Sequence, residues 1–203
     1  MRLFLRPSAL LLMLLIGLNM SVSAQDAAPN AAEPRPMTED EIREQYAKSM
    51  NFMLRRAKLV RTLAAEHLVY IAENASDPEL HIVEEASQVV AYDLVCENGQ
   101  FDPVALDQMT TESTYRIAIV AGQSPVAATL TELGQRQTIP ERMSLLGDLA
   151  STVFMFQVGR RRGLFDSLIT DFGMDKFCTG MRANMRARYD SIVASAEERA
   201  GAN

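Results

Sequence analysis

The stretch Pro140–Gly163, PERMSLLGDLASTVFMFQVGRRRG, decides the fold. Between Met143 and Gly159 its single charge is Asp148. Wound at about 100° per residue, Met143, Leu145, Leu146, Leu149, Ala150, Val153, Phe154, Phe156 and Val158 cover more than half of the circumference. Ser144, Asp148, Ser151 and Thr152 fill the remaining strip. A helix that apolar is packed on several sides. The chain is therefore expected to be all-α, a single bundle of five to seven helices around a central buried helix at about 140–162.

The flanking sequence supplies the other helices. Arg160, Arg161 and Arg162 suit the C-terminal end of the central helix dipole, and Gly163 offers a stop. Leu164, Phe165, Leu168 and Phe172 then form a short amphipathic segment ending at Gly173. The last helix starts near Met174 and runs to about Glu198. Phe177, Met181, Met185 and Ile192 share one face, with Cys178 and Tyr189 on it.

Upstream, three helix starts carry a cap residue followed by proline: Asp77-Pro78, Asp102-Pro103 and Ser124-Pro125. Ile82, Val83, Ala86, Val89, Val90 and Leu94 give the first of these helices its apolar face, and Asn98-Gly99 its stop. Leu106, Met109, Ile117 and Val120 give the next a narrower stripe. The spacing of these starts is irregular, so a repeat solenoid is not expected.

A long helix precedes them. Thr38 and Glu41 have capping-box spacing. From there to about Asn74, Ile42, Tyr46, Met50, Met53, Ala57, Val60, Ala64, Leu68 and Ile71 recur at steps of three and four, one stripe along the helix. Phe52, Leu59, Leu63 and Tyr70 form a second. Acids crowd the first turns, and Arg55, Arg56, Lys58 and Arg61 follow.

The first 24 residues read as a secretory signal peptide cut after Ala24. Arg2 and Arg6 are basic, Ala9 to Leu18 is apolar, and Val22-Ser23-Ala24 supplies small residues at the cut. The apolar run is about half of the roughly 20 residues a spanning helix needs. No stable membrane insertion is expected after cleavage, and the expected location is the periplasm. Residues 25–37, with three prolines, read as a disordered leader, and 38–200 as the helical domain.

Cleavage removes two arginines and no acids, taking the net charge from −6 to −8. That balance disfavours nucleic acid as a partner. Cys96 and Cys178 are the two cysteines, and in an oxidising compartment such a pair is expected to be a disulfide.

Catalytic signatures are missing. The sequence has no nucleophile elbow, phosphate-binding glycine loop or CxxCH haem motif. His67 and His81 are the only histidines, and neither stands in the Glu-x-x-His pattern of a di-iron bundle. Both read as boundary residues, and the methionines as core packing. No metal or cofactor is expected.

Charge is segregated. Between Thr62 and Tyr115 there is no Lys or Arg, while eleven acids fall there. Arg160, Arg161 and Arg162 form one basic group; Arg182, Arg186 and Arg188 form another. Dipole compensation and pairing with the acidic helices account for them. The sharper reading is a site for an anionic ligand or an acidic envelope partner at Arg160, Arg161, Arg162, Arg182 and Arg186, with Asp148 as the acid of an internal groove. Asp148 otherwise marks the solvent edge of its helix; if buried it needs a partner, for which Arg116 is the candidate. The expected function is a non-catalytic module that binds an envelope protein or anionic ligand. The alternative is an envelope hydrolase built from scattered acids and arginines.

Overall fold

The computed structural model describes residues 35–96, 101–135 and 137–201. The signal-peptide reading, most of the leader and the Asn98-Gly99 stop lie outside them. Among the described residues there are six helices and no strand: α1 (Glu39–Glu73), α2 (Pro78–Val95), α3 (Pro103–Ala121), α4 (Val126–Gly134), α5 (Ile139–Phe172) and α6 (Met174–Gly201). The all-α bundle is as the sequence predicts. None of the described helices is long and apolar enough to cross a membrane.

Two units are distinguished, with the division between Arg43 and Glu44. In the first, the Thr38 N–H donates to the Glu41 carboxylate at 2.8 Å, and the Glu41 N–H donates to Thr38 Oγ1 at 3.3 Å. This capping box, with the Thr38 backbone bond foremost, holds the Glu41 carboxyl below its ordinary pKa. Arg43 adds an ion pair to Glu39 at 2.7 Å.

The second unit holds the core. The Asp77 and Asp102 carboxylates accept from the Glu79 and Val104 N–H groups, both at 2.8 Å, with proline in the first turn of each helix. α2 and α5 lie at the centre. α2 packs on α3, α5 and α6, and α5 packs on α2, α3, α4 and α6. Val83, Ala86, Val89 and Tyr92 of α2 meet Leu149, Val153, Phe154 and Val158 of α5 in one core with Ile117, Phe177, Met185 and Tyr189.

Cys96 and Cys178 stand at disulfide distance, with Cα atoms 5.8 Å apart, tying the end of α2 to the start of α6. The Tyr92 hydroxyl donates to the Cys178 carbonyl at 2.6 Å. Phe101, Phe165, Phe177 and Tyr189 gather around this joint, with Phe101 and Tyr189 stacked at 4.8 Å.

The central helix departs from its expected bounds of 140–162. It starts at Ile139, behind a second capping box in which Thr138 and Glu141 exchange bonds, and it passes through Gly163 to Phe172. An interior glycine costs about 1 kcal/mol relative to alanine, less than the burial of one large apolar side chain. Phe165 is buried in the core and Ile169 packs against it, so the helix continues past Gly163. Gly173, at φ 85°, is the stop. α5 is packed on several sides, by α2, α3, α4 and α6, and two residues of its apolar arc stay outside those contacts. Met143 and Phe156 are more than half exposed. Leu94 of α2 is exposed as well.

Candidate functional site

The residues singled out in the sequence do not come together as one site. Asp148 is half exposed and ion-paired to Arg56 of α1 at 2.7 Å, while Arg56 also donates to Ser144 Oγ at 2.7 Å. The polar strip of α5 is therefore neither a groove lining nor a bare solvent edge; it is a seat for α1. Arg116 is not its partner. Arg116 is buried in α3, where it ion-pairs with Glu79 of α2 and, at 3.1 Å, with Glu112 one turn earlier.

The acidic helix α2 takes up arginines from three neighbours. Glu79 meets Arg116 of α3, Glu84 meets Arg161 of α5, and Glu85 meets Arg188 of α6 at 2.9 Å. This answers the segregated charge: acids collected on one helix become pairing points for the helices around it. Arg162 and Arg186 pair within their own helices, with Asp166 at 3.9 Å and Asp190 at 3.0 Å. The Arg186 guanidinium also lies 5.1 Å from the Tyr189 ring centroid. Arg160 lines a small cavity of about 100 Å³ with Leu68, Ile71, Phe156 and Gln157, and Arg182 is exposed on α6.

His67 is not a boundary residue. It is fully buried, stacked on Tyr70 with centroids 6.1 Å apart, and neither ring nitrogen makes a regular hydrogen bond. Burial pushes its pKa below the ordinary 6.5, and a contact with the Ile117 backbone offsets this only in part. His81 is exposed, 3.6 Å from Glu85. Among the described residues no group of three or more His, Cys, Asp or Glu side chains is placed to hold a metal ion.

Cavities lie elsewhere. One of about 380 Å³ runs between α3 and α6, lined by Met109, Glu112, Ile192 and Val193. Another, also about 380 Å³, lies at the Gly173 corner between Leu168, Phe172, Phe177 and Met181, with Lys176 as its one charged lining residue. Neither Asp148 nor His81 lines either of them.

What the sequence reading missed is on α1. Its stripe is buried only in part. Val60, Ala64 and Ile71 are in the core or at its edge, and Leu68 is half-buried. Tyr46, Met50 and Met53, on the same stripe, are 69%, 40% and 60% exposed, and Phe52 and Leu54 beside them are 62% exposed. In the first unit Ile42 is exposed too.

Direction explains the split. α1 runs alongside α5 in the same sense: Arg56 meets Ser144 and Asp148, and farther on Ile71 and Ala72 share a cavity with Phe156 and Gln157. α5 begins at Ile139, only five residues before Ser144. Helices rise equally per residue, so α1 has α5 beside it only from about Asn51 onward, and in the first turn of that overlap Phe52, Met53 and Leu54 are still exposed. The turns before that point carry a core-type stripe with no core beside it.

No protein-family model, no curated protein and no solved structure matches the chain.

Proposed function

We propose that the chain is exported through its N-terminal leader and acts in the periplasm as a non-catalytic interaction module that docks through the amphipathic first half of α1. The partner is an envelope protein that offers an apolar helix. One observation carries the reading: Tyr46, Met50 and Met53 continue the stripe that buries Val60, Ala64 and Ile71, yet remain bare. A stripe at core spacing lies against apolar surface somewhere, and helix against helix is the form this spacing fits. Four internally paired arginines, Arg161, Arg162, Arg186 and Arg188, are already committed, which favours the apolar face over an anionic site. The cysteine pair at disulfide distance supports an oxidising compartment.

Photo-reactive residues placed at Tyr46 and Met53, and for contrast at the exposed Val104 of α3, test the reading in the living host. Adducts of defined mass from Tyr46 and Met53 but not from Val104 are expected. No adduct at either α1 position, or equal yield from Val104, overturns it. Detection of the protein in the cytoplasmic fraction with residues 1–24 still attached overturns the location.

A further inference from the structure

We infer that the recess at the Gly173 corner binds a single-chain amphiphile with one acid head, a medium-chain fatty acid. Its tail lies against Phe172 and Phe177, and its carboxylate pairs with Lys176. The site is separate from the docking half of α1 and does not depend on it.

One residue makes the corner. Gly173, at φ 85°, ends α5 and turns the chain into α6, which packs back on α5. The recess between them, of about 380 Å³, has the size of a small-molecule site, roughly 300–1,000 Å³. Phe177 is its buried member, packed on Phe165 with ring centroids 5.1 Å apart. Leu168 and Phe172, one turn apart on α5, and Met181, one turn after Phe177 on α6, complete the apolar lining. Phe172 is exposed, so the apolar surface continues from the floor of the recess to its rim.

Gly180 points to an occupant. It lies in the interior of α6 and lines the recess. Glycine in a helix interior costs about 1 kcal/mol relative to alanine. The packing of the chain does not ask for it: a Cβ at Gly180 meets no other element within 4 Å. What a side chain there removes is space in the recess.

Charge names the head group. Lys176 is the one charged residue of the lining, is exposed, and has no carboxylate partner among the described residues. Asp171 and Asp175 stand close to it in sequence, but both are exposed and neither lines the recess. An apolar recess with one cation matches a molecule with one apolar chain and one anionic end. A bilayer is a poorer match. Recognition of anionic lipid surfaces uses clusters of about four to eight Lys and Arg, and this chain carries a net charge of −6.

Equilibrium dialysis of the purified, disulfide-bonded chain against radiolabelled octanoate, nonanoate and decanoate, all below micellar concentration, tests this. One molecule per chain is expected, with each added methylene tightening binding about three- to fourfold until the recess is full. Lys176→Glu is expected to weaken decanoate about threefold or more and to strengthen decyltrimethylammonium by a similar factor. A gain of that kind does not arise from misfolding. Gly180→Leu fills the recess and is expected to weaken decanoate about tenfold or more. Its melting temperature should be unchanged or higher, because leucine is the better helix former.

No decanoate bound up to about 1 mM overturns the inference. So does decanoate that binds Gly180→Leu as well as the wild type, or decyltrimethylammonium that binds the wild type as tightly as decanoate. Binding to phosphatidylglycerol vesicles without binding of monomeric decanoate makes the corner a membrane contact and also overturns it. If Gly180→Leu melts lower, the exchange of preference at Lys176 decides alone.

Discussion

The two halves of α1 share a period, a helix and nearly the same residue types, and they have opposite surroundings. Val60, Leu63, Ala64, His67 and Ile71 are buried; Tyr46, Met50, Phe52, Met53 and Leu54 are exposed. Periodicity reports that a face is apolar and says nothing of what covers it. The cover depends on where α5 begins and which way it runs, and those are properties of the assembled bundle. A face that stays bare when the bundle is complete is therefore a better guide to interaction than the stripe itself.

The sharpest way to break this contrast is to truncate on both sides of it. Leu63→Ala leaves a cavity in the core and is expected to cost about 2–5 kcal/mol of stability in urea unfolding. Met53→Ala, on the same helix, is expected to change it by no more than about 0.5 kcal/mol. Similar losses at the two sites would mean that the outer half packs as the inner half does.

Acidification probes the inner half alone. His67 is buried with its pKa lowered, so the folded chain resists a proton that the unfolded chain accepts. Above the ordinary pKa of 6.5 both states are neutral at this residue and it contributes no pH dependence. As pH falls through 6.5 the unfolded state binds the proton first, and stability declines until the folded pKa is passed. His67→Leu is expected to remove this decline from melting curves taken between pH 7 and pH 5. The protection of the amides in the exposed outer half, taken relative to their intrinsic exchange rates at each pH, should show no such dependence.

A smaller effect is expected at the seam between the halves. Arg56→Gln breaks the ion pair to Asp148 and the bond to Ser144, both at 2.7 Å. Asp148 is half exposed, so screening limits the loss to about 1 kcal/mol or less. Exchange of the amides around Arg56 should rise while those around Ile71 stay protected. The smallest effect belongs to the cap. Thr38→Ala is expected to leave the melting temperature unchanged and to speed exchange only in the first turns of α1. A change in global melting from this substitution would show that the outer turns are coupled to the core.

Gly163 and Asp148 teach the same lesson as α1. Gly163 has the composition of a stop, three arginines before it and an apolar change of phase after it, and the helix crosses it because Phe165 finds the core. Asp148 looks anomalous in an apolar helix only until Arg56 is placed beside it. His67 differs from His81 by no local signal strong enough to say that one is buried and the other exposed. The second capping box, Thr138 with Glu141, has the same spacing as the first, and Pro140 between them is a first-turn residue of the helix rather than its start.

The sequence by itself determined the helices and most of their bounds. Caps, prolines and the 3.6-residue period act between residues a few positions apart, and Asp77-Pro78, Asp102-Pro103 and Thr38 with Glu41 carry their geometry wherever the chain goes. It also determined the cysteine pair, because two thiols allow one pairing. Only the tertiary structure decided which arginine meets which acid, which half of the α1 stripe is covered, and how far α5 extends. Those outcomes rest on contacts between residues tens of positions apart, and the helices have to be packed before any of them exists.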